Sequence, residues 1–214
     1  LGPLLAQGPS NGGADPANPD LSQAFGHLSG AMGHSLAQQL YQVAKLIKHR
    51  GSVGGTRHLY FVLLGGFDNH QAQPYLHSVL LEQVATACSA FDQAMEALGL
   101  GRQVTLFTES EFGRTFKPNA GQGTDHGWGN SQFVLGGAVR GGTAFGAYPS
   151  LVLGGDDDAA VNAWEQQGRW IPTVSVTQYA STLIDWFSPG LGKASVLPLL
   201  SAFGNATNLG FMRS

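Results

Sequence analysis

His58-Leu59-Tyr60-Phe61-Val62-Leu63-Leu64, followed at once by Gly65-Gly66, decides how the fold of this chain is read. The run is aromatic and aliphatic without a break, strand-length, and closed by glycines. Such a run reads as a strand buried on both faces, the habit of parallel sheets whose two sides are covered by helices. Upstream, Leu36, Leu40, Val43 and Ile47 recur at helical spacing, which predicts an amphipathic helix over about 34–50. Lys45, Lys48, His49 and Arg50 suit the negative pole of its dipole, and Gly51 ends it. Downstream, Pro74 opens a second helix that runs to Leu98, with Val79, Leu80, Val84, Ala87, Phe91 and Met95 on one stripe and Gly99 as its stop.

Val104 to Thr108 is the next expected strand, so strand, helix and strand follow one another over short links in a βαβ pattern. Short strands are expected again at residues 133–135 and 150–153. A helix is expected from Thr177, as its N-cap, to Phe187, and a last one from Val196 to Phe203. The reading is therefore an α/β fold. Residues 1–33, which open without Met and are rich in Gly, Pro, Asn and Asp, read as an extended lead-in to one domain over 34–214. That start suggests a processed chain or a piece of a longer one, and it carries no signal-peptide pattern.

Composition narrows the classes of function. Of 214 residues, 43% are hydrophobic, enough for a core, while only 12% are charged, about half the usual share. Glycine, at 31 residues, points to long packed loops. The net charge of −3 comes without a basic stripe, which argues against nucleic-acid binding. No apolar stretch approaches the roughly 20 residues of a membrane helix. Cys88 is the sole cysteine, so no intrachain disulfide can form.

The residues able to carry chemistry fall in three loops. Gly65-Gly66-Phe67-Asp68-Asn69-His70 follows the first expected strand, where ligands bind in open α/β sheets. Asp68 and His70 can converge on a divalent metal, zinc above others; the plainer reading has Asp68 capping the turn and His70 bonding it. Gly123-Thr124-Asp125-His126-Gly127-Trp128-Gly129 supplies a second carboxylate and imidazole, in a glycine-flanked loop where both side chains can reach one site. Its plain reading is a turn with a capping Asp. Between them, Glu109-Ser110-Glu111-Phe112-Gly113-Arg114-Thr115 offers Arg114 to grip an anion and Glu111 as base or ligand, or else an internal Glu111–Arg114 pair. Ser110 lacks the Gly-x-Ser-x-Gly context of a hydrolase nucleophile. His77 sits where the first turn of the second helix can approach the Asp68 loop. Asp156, Asp157 and Asp158 lack the spacing of a calcium loop and read as a solvated turn.

These strings, with Gly136-Gly137-Ala138-Val139-Arg140-Gly141-Gly142, Gly168-Arg169-Trp170-Ile171-Pro172-Thr173 and Asn208-Leu209-Gly210-Phe211, resemble one bacterial family. It is a large, mostly exported family known as domain of unknown function fifteen-oh-one. The similarity runs from about Leu36 to Met212, and this chain looks like the family's carboxyl-terminal half. The family is considered related to alkaline phosphatases, sulfatases and cofactor-independent phosphoglycerate mutases. The resemblance implies a three-layer sandwich with a mostly parallel sheet, present here as a partial domain. It implies a two-metal site for phosphate or sulfate esters, with Asp125-His126 as a ligand pair, Asp68 and His70 beside the companion metal, and a periplasmic or secreted location. It also implies that an amino-terminal segment or a partner chain supplies the nucleophile and further ligands. No His follows His126, Asn69 stands where Thr is usual, and Ser131-Gln132 where His is frequent. Two functions are expected on that basis: a metal-dependent ester hydrolase when complete, or a catalytically silent binding protein on the same scaffold.

Overall fold

The computed structural model describes residues 15–28, 35–191, 197 and 208–213. The chain divides into two compact units: Leu1–Asn69 with Pro74–Leu106, and His70–Gln73 with Phe107–Ser214.

The first unit is helical. Helix α1, Pro19–Phe25, begins on a proline whose missing N–H costs nothing in a first turn, and a 3-10 turn, Gly26–Leu28, continues it. Helix α2, Ser35–Lys48, matches the spacing of its apolar residues and buries Leu36, Leu40, Tyr41, Ala44 and Ile47. A short α3, Arg50–Val53, follows. Helix α4, Gln73–Ala97, lies close to its expected bounds, and all of it but Gln73 belongs to this unit. Its later half buries Ala87, Ala90, Phe91, Ala94 and Met95, whereas Tyr75 and Leu81 in the earlier half are exposed.

The Asn- and Asp-rich approach to α1 is part of this unit's interior. Asp15 is buried and accepts hydrogen bonds from the Tyr41 hydroxyl at 2.7 Å and Asn18 Nδ2 at 2.9 Å. Burial pushes the Asp15 carboxyl up, but these bonds and the charge of Lys45 outweigh it and hold the group below its ordinary value. Phe25 meets Tyr41 edge-on at 5.2 Å, and Lys48 pairs with Asp20 at 2.6 Å, which ties α1 to α2. Lys45, expected at the helix end for its charge, is fully buried over the Tyr41 ring.

Among the described residues the second unit is built of loops around one helix. Strand β1, Leu106–Phe107, pairs with β4, Val134–Leu135; β2, Gly113–Arg114, pairs antiparallel with β3, His126–Gly127. Helix α5, Val176–Phe187, packs Leu183, Tyr179 and Trp186 into a core with Ala138, Val139, Phe211 and Met212. Its N-cap is Ser175, not Thr177: Ser175 Oγ accepts the Gln178 N–H at 3.2 Å and Gln178 Oε1 accepts the Ser175 N–H at 3.0 Å. This capping box satisfies two donors at once, which a cap at Thr177 would not. The helix expected over 196–203 lies outside the described residues, Leu197 apart, as do residues 1–14 and 29–34.

The α/β expectation fails. Among the described residues there is no parallel sheet and no three-layer sandwich; the fold is mostly helical with two-stranded antiparallel sheets. A parallel sheet needs each strand's backbone met by a neighbour's, and residues 58–64 have no ladder. Hydropathy chose the right segment for a strand, but a strand is defined by pairing. Residues 150–153 are not a strand either, because Leu151 has φ 60°, a left-handed conformation that breaks an extended run.

A glycine-built hairpin carrying the candidate site

The hairpin β2–β3 sets Gly113 opposite Gly127 and Arg114 opposite His126. A Cβ on Gly113 would stand 1.7 Å from the Gly129 carbonyl oxygen, so this backbone approach is closed to any other residue. Inside the hairpin, buried Thr115 locks Asp125: the Thr115 N–H donates to Asp125 O at 2.9 Å, and the Asp125 N–H donates to Thr115 Oγ1 at 3.0 Å. Asn119 organises the loop. Its Oδ1 accepts the N–H groups of Gly121 (2.9 Å) and Gly123 (3.1 Å), while its Nδ2 donates to His70 O (3.1 Å) and Asp125 Oδ1 (3.3 Å).

Residues 70–73 lie along this loop. Ala72 and Gln73 donate their N–H groups to Gly121 O and Gln122 O, each at 3.1 Å, and Thr124 Oγ1 donates to Gln73 Oε1 at 2.6 Å. Gly123 is required here, since a Cβ would fall 2.2 Å from His70 O. Two motifs 55 residues apart in sequence, His70 and Asp125, are thereby brought side by side.

His70 Nδ1 lies 3.3 Å from Asp125 Oδ1, and the His70 and His126 rings stack with centroids 5.0 Å apart. A ring nitrogen of each imidazole lies within 4.8 Å of one on the other. Phe112 also stacks on His126 at 3.8 Å, and the Arg114 guanidinium lies over Phe112 at 5.0 Å. His70 and Asp125 keep side-chain exposures of 45% and 43%, so the cluster is open to solvent. The bonds from Asn119 and then His70 hold the Asp125 carboxyl below its ordinary value, against a small opposing effect of burial.

The remaining expected site residues are placed as follows. Asp68 belongs to the first unit, is exposed, and precedes His70 by two residues. Arg114 donates to Thr124 O at 2.9 Å as well as covering Phe112, and Glu111 is exposed. Ser110 Oγ donates to Phe112 O at 3.0 Å. His77 packs edge-on against Phe67. Of the three aspartates after Gly155, Asp156 is exposed in a turn as expected, but Asp158 and Asp157 are engaged. Asp158 is buried and accepts the N–H groups of Gly154, Gly168 and Arg169 at 3.0–3.1 Å. Asp157 takes the Ser150 N–H and hydroxyl.

Four supporting residues were missed in the sequence. Arg169, held by Asp158, donates Nε to His126 O at 3.2 Å. Asn119, Thr115 and Phe112 hold Asp125 and the two rings, as described above. Phe112, Thr115 and Arg169 stood within quoted strings but were given no role, and Asn119 stood in none; a buried Thr and a loop Asn leave no distinctive spacing.

The family described as protein of unknown function (DUF1501) matches residues 7–162. The chain belongs to that family. The match to DUF1501 begins ahead of Leu36 and contains the Asp68, Glu111 and Asp125 loops, while 168–173 and 208–211 lie beyond it. No curated protein matches the chain, and no solved structure does.

Proposed function

We propose that this DUF1501 chain carries a divalent-metal site on His70 and His126, with Asp125 orienting His70, and that the site serves hydrolysis of phosphate or sulfate esters. The observation that carries the reading is the paired imidazoles of His70 and His126 with Asp125 against His70. Two imidazoles and carboxylate oxygen are a zinc-type donor set. A carboxylate bonded to the Nδ1–H of a histidine fixes its tautomer and leaves Nε2 to the metal. Asp125, seated at Nδ1, therefore orients His70 and does not share the ion on Nε2. The family resemblance adds Asp68 to the ligand set. A bound divalent ion would polarise the ester oxygen and lower the pKa of a bound water.

The protein's own contribution is placement. Phe112 and Arg169 fix His126 from its ring face and its backbone. Asn119 holds His70 and Asp125 together, and Glu111, exposed, is the candidate base. An amino-terminal segment or partner chain completing the site, and a periplasmic or secreted location, belong to the same proposal and rest on the family resemblance. No helix among the described residues is long and apolar enough to cross a membrane.

A second reading is a binding protein without catalysis. It is favoured by Arg114, whose guanidinium is bonded to Thr124 O and laid over Phe112 and so acts as a brace for the loop. Hydrolysis of 4-nitrophenyl phosphate and 4-nitrophenyl sulfate, with zinc or manganese added and then chelated, separates the two. The enzyme reading expects metal-dependent turnover that His126→Ala abolishes. Metal binding without turnover of either ester would leave the binding reading standing alone.

A further inference from the structure

We infer that two copies of this chain associate through the backbone of residues 58–64, paired antiparallel about Val62. The inference does not need a bound metal. Exposure along the segment alternates with a period of two: Leu59, Phe61 and Leu63 are 76%, 87% and 63% exposed, and Tyr60, Val62 and Leu64 are half-buried. That is the signature of an extended strand with one side-chain face packed and the other bare.

Its two backbone edges differ. In a strand the N–H and C=O of one residue point to the same edge, and alternate residues serve opposite edges. Gln39 closes one edge: its Nε2 donates to Leu63 O and its Oε1 accepts the Leu63 N–H, both at 2.9 Å. The side-chain amide thus makes the two bonds that a facing strand residue would exchange. The other edge belongs to Tyr60, Val62 and Leu64, whose backbone groups make no hydrogen bond among the described residues.

Edge strands that stay single are protected by Lys, Pro, bulges or inward charge. Residues 58–67 contain no Lys, Arg, Asp, Glu or Pro. The occupant that fits is a second copy, because the open edge is self-complementary. Centred on Val62, an antiparallel pair exchanges both bonds between the two Val62 residues and between Tyr60 of one copy and Leu64 of the other. It sets Phe61 across from Leu63 on the outer face. It also brings the Arg57 end of one copy beside the Asp68 end of the other, opposite charges meeting at both ends. A parallel pair would set Arg57 against Arg57 and Asp68 against Asp68.

Light scattering after size exclusion, across a wide range of concentration, tests this together with amide hydrogen exchange. The expected result is a dimer in which the Tyr60, Val62 and Leu64 amides are protected while those of Leu59 and Phe61 exchange fast. Val62→Pro removes the central donor and gives a monomer. Phe61→Lys, which leaves the backbone intact, weakens the dimer and decides the matter if the proline variant does not fold. Gln39→Ala opens the second edge and turns the dimer into larger assemblies. A monomer at every concentration would overturn the inference. So would a dimer with a fast-exchanging Val62 amide, or protection of these amides by a different protein.

Discussion

Residues 58–64 and the hairpin 113–127 reverse the roles that their compositions suggest. The first is the most apolar stretch of the chain, yet most of its backbone is unpaired among the described residues and three of its large side chains face solvent. The second is polar and rich in glycine, yet nearly every loop turn is tied by a named hydrogen bond. Apolar character records what a segment can bury, whereas order in a loop comes from donors and acceptors that find one another. The hairpin is therefore tied by its own bonds, whereas 58–64 is tied at Leu63 by Gln39.

The sharpest way to break this contrast is at the glycines. Gly113→Ala drives a Cβ into the Gly129 carbonyl and is expected to cost about 3 kcal/mol, measured by urea unfolding, with Gly123→Ala close behind. Asp158→Ala is next. It strips the acceptor from three backbone N–H groups and is expected to cost about 2–3 kcal/mol. Because Asp158 seats Arg169, the same variant should also loosen His126, visible as a shift of its ring proton resonances. Thr115→Val leaves the Asp125 N–H without its acceptor, for about 1 kcal/mol. By contrast Phe61→Lys should alter the stability of the isolated chain by less than about 0.5 kcal/mol, since its ring already faces water.

The smallest expected effect is on pH. The folded-state pKa of Asp125 is lowered, so its contribution is present above the ordinary aspartate value and is lost as pH falls through the lower folded value. The group is half-exposed, so the loss is slight and confined to the acid range. Asn119→Ala removes the leading hydrogen bond and should bring the Asp125 titration, followed by NMR, back toward its ordinary position.

Helical order was legible where periodicity is strong: α2, α4 and α5 stand close to where Leu36–Ile47, Val79–Leu98 and 177–187 placed them. The parallel sheet was not, because an apolar run states that a strand is possible and is silent about what pairs with it. His70, Asp125 and His126 were legible as motif residues, and the hairpin does bring them together. Asn119, Thr115 and Arg169 were not, since their work is done on backbone carbonyls and amides that no side-chain pattern records. Asp158 shows the same blindness from the other side: an acidic triplet looks solvated until its neighbours' N–H groups are counted.

The account rests most heavily on the pairing of His70 with His126, and metal stoichiometry tests it most directly. Purified chain titrated with zinc, with bound metal read by elemental analysis after desalting, should retain metal. His70→Ala and His126→Ala should each lower that affinity by at least about tenfold, on the order of 1.4 kcal/mol, while Phe61→Lys leaves it unchanged. Zinc retained equally by the two histidine variants, or by none of the proteins, would contradict the site.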